Sequence, residues 1–102
     1  DNYEDISNDL WNEFQAFILD LKNKKISIEF FLSPYAPIVF DKILKEYPIT
    51  LKVENLVSDF AKLNKIKVYG SFNPYKLDFD ETHFYDGMHC KEKSIKIILN
   101  RE

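Results

Sequence analysis

The sequence predicts an α/β fold built on a parallel sheet, in the form of the C-terminal part of a larger domain. Segments with helical spacing alternate with short β-branched and aromatic runs, the order that crossovers between parallel strands produce. The first of these runs becomes apolar on both faces toward its end, as in strands covered by helices on each side. Only two such runs occur in 102 residues. That is fewer than a parallel sheet needs to bury its edges, so a further segment or another copy of the chain is expected to complete it.

The elements follow in order. Leu10, Trp11, Phe14, Phe17, Ile18 and Leu21 recur at the three-and-four spacing of one helical face, predicting a helix over residues 8–23. Ser7 or Asn8 suits its cap, and Lys22, Lys24 and Lys25 crowd its C-terminal turn, where cations complement the dipole. Residues 26–32, ISIEFFL, begin as an alternation and end as an apolar run, predicting a strand that stops at Ser33-Pro34. Ile38, Phe40, Ile43 and Leu44 predict a short helix over 37–46, and Pro48 separates it from a second helical pattern carrying Val53, Leu56, Val57, Phe60 and Ala61. Residues 66–69, IKVY, read as the second strand, ending at Gly70. Residues 72–90 read as a long polar and aromatic loop, a length that compact domains reserve for function. A last helix is predicted over 91–100 from Ile95, Ile98 and Leu99.

Hydrophobic residues make up 45% of the chain and charged residues 30%, a globular composition that can support a core. The net charge is −3 and the lysines are scattered, which argues against a nucleic-acid partner, whose binders carry a basic stripe. No run approaches the roughly 20 apolar residues of a membrane span. The acidic opening, DNYED, lacks the character of a signal peptide. The single cysteine, Cys90, allows no internal disulfide. Two histidines and one cysteine in one segment give little basis for a metal site, which needs about four ligands, and no cofactor is expected.

Both histidines lie in the stretch His83-Phe84-Tyr85-Asp86-Gly87-Met88-His89. Asp86 precedes His89 by three residues, so across a tight turn its carboxylate can reach the imidazole. There it would accept a hydrogen bond from Nδ1–H, fix the tautomer and leave Nε2 free as a general base. Gly87 would let the turn adopt a positive φ or pack closely. By spacing alone Asp-x-x-His is a common pattern, and an Asp that caps a turn beside a surface histidine satisfies it equally. His83, near Asp80 and Glu81, is expected to be a loop residue without chemistry. Tyr35 and Tyr85 either line a cleft or pack. Since sites in open α/β sheets lie beyond the C-terminal strand ends, the Ser33–Pro37 loop and the 72–90 loop are expected there together.

The block FYDGMHCKEKSIKIIL resembles the last block of the SGNH (GDSL-like) hydrolases, with Asp86, Gly87 and His89 on its D-G-x-H core. Lys93-Ser94 departs from it where that block has a glycine. The strand ending in prolines and the helix before the second strand are similar in pattern. The resemblance implies a flavodoxin-like three-layer α/β/α domain and a serine esterase or O-acyltransferase. In it His89 would be the base and Asp86 its orienting acid. The implied substrate is an ester, such as an acetyl ester of a cell-surface carbohydrate. The family's Gly-Asp-Ser nucleophile block and its oxyanion residues have no match in the chain. Ser33, Ser71 and Cys90 are weak substitutes, so the chain alone is expected to be inert. A non-catalytic assembly or carbohydrate-binding module is the alternative.

Overall fold

Two parallel strands organise the chain. The structure, a computed structural model, describes residues 7–101, so the acidic opening at residues 1–5 lies outside it. Strand β1 (Glu29–Leu32) pairs with β2 (Lys67–Gly70) in the register Glu29↔Lys67 to Leu32↔Gly70. Helix α1 (Asn8–Asn23) precedes β1, α2 (Pro37–Glu46) and α3 (Ile49–Leu63) lie between the strands, and α4 (Glu92–Asn100) ends the fold. The mixed α/β class and the parallel pairing expected from the sequence are therefore present. The described residues contain two strands only, so a flavodoxin-like sheet is not formed within them.

Of the two caps considered for α1, Ser7 is the one used, its Oγ accepting the Leu10 amide at 3.3 Å. The first strand starts at Glu29 rather than 26, and the reason is how α1 ends. Lys25 adopts φ 61°, its amide bonds to the Lys22 carbonyl, and the Ile26 amide reaches back to the Leu21 carbonyl at 3.0 Å. This is a Schellman closure, so the first residues of the apolar run satisfy the helix end instead of the ladder. Helix α3 leaves the same way, through Lys65 at φ 58° and the Ile66 amide on the Ala61 carbonyl.

Alternation along the strands sorts the core. Phe30 and Val68 face one side with Ile18 of α1, Phe60 and Ala61 of α3, and Ile66. Tyr69 faces the other side and packs with Ile98 of α4, Ala36, Leu77, Phe79 and Phe84. Gly70 closes β2 at φ 81°, where a Cβ would stand 2.4 Å from the Leu32 carbonyl oxygen and 3.2 Å from Ile98. Only glycine fits both that backbone and that approach.

The 72–90 segment is not an irregular loop. Two 3₁₀ turns, Pro74–Leu77 and Glu81–His83, divide it, and Leu77, Phe79 and Phe84 are buried in the second core. Glu81 also reaches back to α2, whose Ala36 cap has no side-chain bond, and its Oε2 accepts the Ile38 amide at 2.9 Å. A segment read as polar by composition is thus a packed part of the domain.

Candidate functional site

The end of that segment folds on itself. The Lys91 amide donates to the His83 carbonyl at 3.0 Å, Phe84 and Cys90 form an antiparallel bridge, and the Tyr85 amide donates to the His89 carbonyl at 2.8 Å. Asp86, Gly87 and Met88 are left as a three-residue loop. The Gly87 carbonyl accepts the Ala36 amide at 2.9 Å, and the Tyr35 amide binds the Phe72 carbonyl at 3.1 Å. These bonds gather the loops following β1 and β2 at the C-terminal edge of the sheet, where the sequence placed them. A Cβ on Gly87 would meet Val39 Cγ2 of α2 at 2.4 Å, while its φ is not in the left-handed region. Of the two roles considered for Gly87, close packing is the one in force.

Within the loop, Asp86 Oδ1 accepts the Met88 amide at 2.9 Å and the His89 amide at 3.0 Å. The His89 Nδ1 lies 2.8 Å from Oδ1 and 2.9 Å from Oδ2. A carboxylate can only accept, so Nδ1 carries a proton, and in the neutral ring Nε2 presents its lone pair. The Met88 amide first, and then the His89 ring, hold the Asp86 carboxyl below the usual carboxylate range. The two side chains are 60% and 74% exposed, so the pair sits in open solvent. Asp86 thus performs both of the tasks that the sequence left as alternatives, capping the turn and orienting the ring.

A second Asp-x-x-His, Asp80 to His83, stands six positions earlier and was not singled out from the sequence. It works in reverse. The Asp80 amide donates to His83 Nδ1 at 3.0 Å. Since a backbone N–H can only donate, Nδ1 must accept, and the ring proton belongs on Nε2. The 3.2 Å approach of Nδ1 to Asp80 Oδ1 is then no hydrogen bond in the neutral ring. The Asp80 carboxyl is held low by the Thr82 hydroxyl and amide rather than chiefly by its histidine. His83 stacks on Phe79 with centroids 4.3 Å apart and planes within 5°. Within the loop region expected for it, His83 is thus held in a 3₁₀ turn by its own cap and by stacking. In the neutral rings, identical spacing yields opposite tautomers because a backbone amide faces His83 Nδ1, whereas the amides of the later turn face the Asp86 carboxylate and leave His89 Nδ1 to it.

The substitutes for a nucleophile are placed as follows. Ser71 is buried, its hydroxyl donates to Glu54 Oε2 at 2.7 Å and accepts the Asn73 amide at 3.0 Å. Cys90 bridges Phe84 on the core side of the ladder, opposite to its neighbour His89, and burial pushes its thiol pKa up despite a contact from the Ser33 hydroxyl. Ser33 is exposed at the end of β1. None of the three is hydrogen-bonded to His89 among the described residues. Tyr35 packs against Phe72 with centroids 6.0 Å apart, whereas Tyr85 is 70% exposed. No three His, Cys, Asp or Glu side chains among the described residues form a group able to hold a metal ion.

Glu54 of α3 was not foreseen. Its buried carboxylate accepts the Ser71 hydroxyl at 2.7 Å and the Phe72 amide at 2.8 Å, and its Oε2 pairs with the Lys76 ammonium across 3.6 Å. It thereby anchors the loop leaving β2. Its signal was present, since it falls two helical turns before Ala61 on the buried face of α3. Comparison with protein-family models, with curated proteins and with solved structures returned no match.

Proposed function

We propose that Asp86 and His89 form the acid–base pair of an ester-cleaving or acyl-transferring site whose nucleophile lies outside these 102 residues. The observation that carries this is the state of His89. Its Nδ1 proton is bound by both oxygens of Asp86, and its Nε2 has no partner among the described residues. In such a site a serine hydroxyl supplied by another segment or chain passes its proton to Nε2 as its oxygen attacks the ester carbonyl. The imidazolium so formed is stabilised by Asp86 and returns the proton to the departing alkoxide. The unfinished sheet supports the same reading, since a strand added beside β1 or β2 would bring new residues to the edge that holds His89. The resemblance to the SGNH hydrolases supplies the reaction class and the flavodoxin-like frame, and an ester on a cell-surface carbohydrate is the substrate it suggests.

The test has two parts. In the chain itself, ¹⁵N NMR of the imidazoles is expected to show His89 protonated on Nδ1 and His83 on Nε2, with Asp86→Asn releasing His89 to the usual mixture. In the gene product that carries the chain, a fluorophosphonate probe is expected to label a serine outside residues 1–102, and His89→Gln to abolish the labelling. Labelling that survives His89→Gln defeats the proposal. The second reading, a binding module with no chemistry, is favoured by the Asp86 caps on Met88 and His89, and it requires that no serine be labelled at all.

A further inference from the structure

A cavity lined by neither Asp86 nor His89 opens beside the start of α4. It has a volume of about 530 Å³ and is lined by Thr82, His83, Tyr85, Lys91, Lys93 and Ile97, with Glu92 and Ser94. Its relation to His89 follows from the short antiparallel ladder. Side chains alternate along each strand. Phe84 and Cys90 are directed to the core, so His83, Tyr85, His89 and Lys91 share the outer face. Tyr85 stands opposite His89, and His83 stands opposite Lys91. Facing residues in such a ladder are about 5.5 Å apart between Cα atoms, and successive residues on one face about 7 Å apart. Tyr85, which lines the cavity, therefore faces His89 across this ladder.

Its lining has a definite chemistry. His83 turns its Nε2–H edge away from Asp80, and that donor has no partner among the described residues. Lys91 and Lys93 make no ion pair among the described residues, and the Lys91 ammonium lies 6.0 Å from the Tyr85 ring centroid. One carboxylate, Glu92, opposes them. The Ser94 hydroxyl is spent on the His83 carbonyl at 2.8 Å. Ile97, 39% exposed, and Tyr85 supply apolar surface. Three cationic or N–H donors around an apolar wall, in a volume usual for ligand sites, match a small anion carried on a ring or short apolar arm.

We propose that this cavity binds the anionic portion of a carboxylate- or phosphate-bearing ligand, with the charge between Lys91, Lys93 and His83 Nε2–H and the apolar part against Tyr85 and Ile97. The proposal rests on the acid–base reading only in naming the ligand as the substrate on which His89 acts. The substrate class is then an ester whose acid or alcohol part carries a negative charge.

Benzoate, phenyl phosphate and neutral benzyl alcohol serve as probes in an NMR titration of the whole chain. Both anions are expected to shift His83, Lys91 and Ile97 resonances saturably, and their relative affinities identify carboxylate or phosphate as the preferred group. Benzyl alcohol is expected to leave them unmoved. The Lys91→Met/Lys93→Met double variant should weaken anion binding about tenfold, as loss of charged hydrogen bonds does. Should that variant not fold, Ile97→Asp is the substitute and should weaken it likewise. Equal shifts from benzyl alcohol, shifts no larger here than at the lysines of α1, or affinity unchanged in the variants would each overturn the proposal. Because binding is read without chemistry, a chain that binds benzoate while its gene product lacks a labelled serine sinks the catalytic reading and keeps the pocket. The opposite pair of results sinks the pocket alone.

Discussion

Asp86 shows how much one carboxylate can hold. It accepts two backbone amides and one ring N–H, so its ionised form is favoured by the folded turn. A carboxyl with its folded pKa depressed contributes stability above its unfolded value, and loses it as pH falls through the folded value. The amides of Met88 and His89 are therefore expected to stay protected from exchange at mildly acidic pH and to lose protection only below about pH 4, the ordinary aspartate value. Asp86→Asn should remove that acid step, as amide exchange against pH would show. Gly87 adds a steric demand. Gly87→Ala should cost about 1–3 kcal/mol, the usual range for overpacking, because Val39 is β-branched and has little freedom to turn aside. Val39→Ala in the same chain should recover part of it in urea denaturation.

At the scale of elements, the two helix exits make a quantitative case. Lys25 and Lys65 hold the left-handed conformation that closes α1 and α3, a position that suits glycine. Lys65→Gly should stabilise the chain by about 0.5–1 kcal/mol, the left-handed strain relieved less the backbone entropy that glycine adds to the unfolded state. A fall in the urea midpoint would contradict this. Glu54 ties α3 to the loop after β2, and Glu54→Ala leaves the Phe72 amide and the Ser71 hydroxyl without their acceptor. The expected loss is about 2–4 kcal/mol, with Glu54→Gln intermediate because its amide oxygen still accepts one bond.

The whole molecule is broad and thin. Its Cα extents are 41 × 37 × 18 Å and its radius of gyration is 14.7 Å, against about 13 Å for a closed domain of 100 residues. Apolar side chains remain on its faces. Phe31 of β1 is 39% exposed, and Leu10, at 66%, borders an apolar groove with Trp11, Phe14, Val53 and Val57. No helix among the described residues is long and apolar enough to cross a membrane. In the isolated chain Phe31→Ser should change stability by less than about 0.5 kcal/mol, as at surface sites. Phe60→Ala, in the buried cluster, should cost about 3–5 kcal/mol. A large loss at Phe31 would mean that β1 is already covered.

Periodicity made the helices legible because their faces repeat over several turns, and it made β2 and the core of β1 legible because apolar runs there cannot be solvated. It placed Asp86 and His89 at the sheet's C-terminal edge for the same reason, since the element order leaves them nowhere else. It did not reach the start of β1, because the Schellman closure of α1 claims Ile26 by a backbone bond that has no side-chain signature. Nor did it reach the packing of Phe79 and Phe84, whose spacing follows 3₁₀ turns rather than a regular period. By itself the sequence determined the α/β class, the parallel order and a pair of residues with the right spacing for acid–base work. Only the tertiary structure decided which histidine holds its Nδ1 against a carboxylate and which against a backbone amide. Asp80–His83 and Asp86–His89 have the same spacing, and which nitrogen keeps the proton depends on where each backbone amide points.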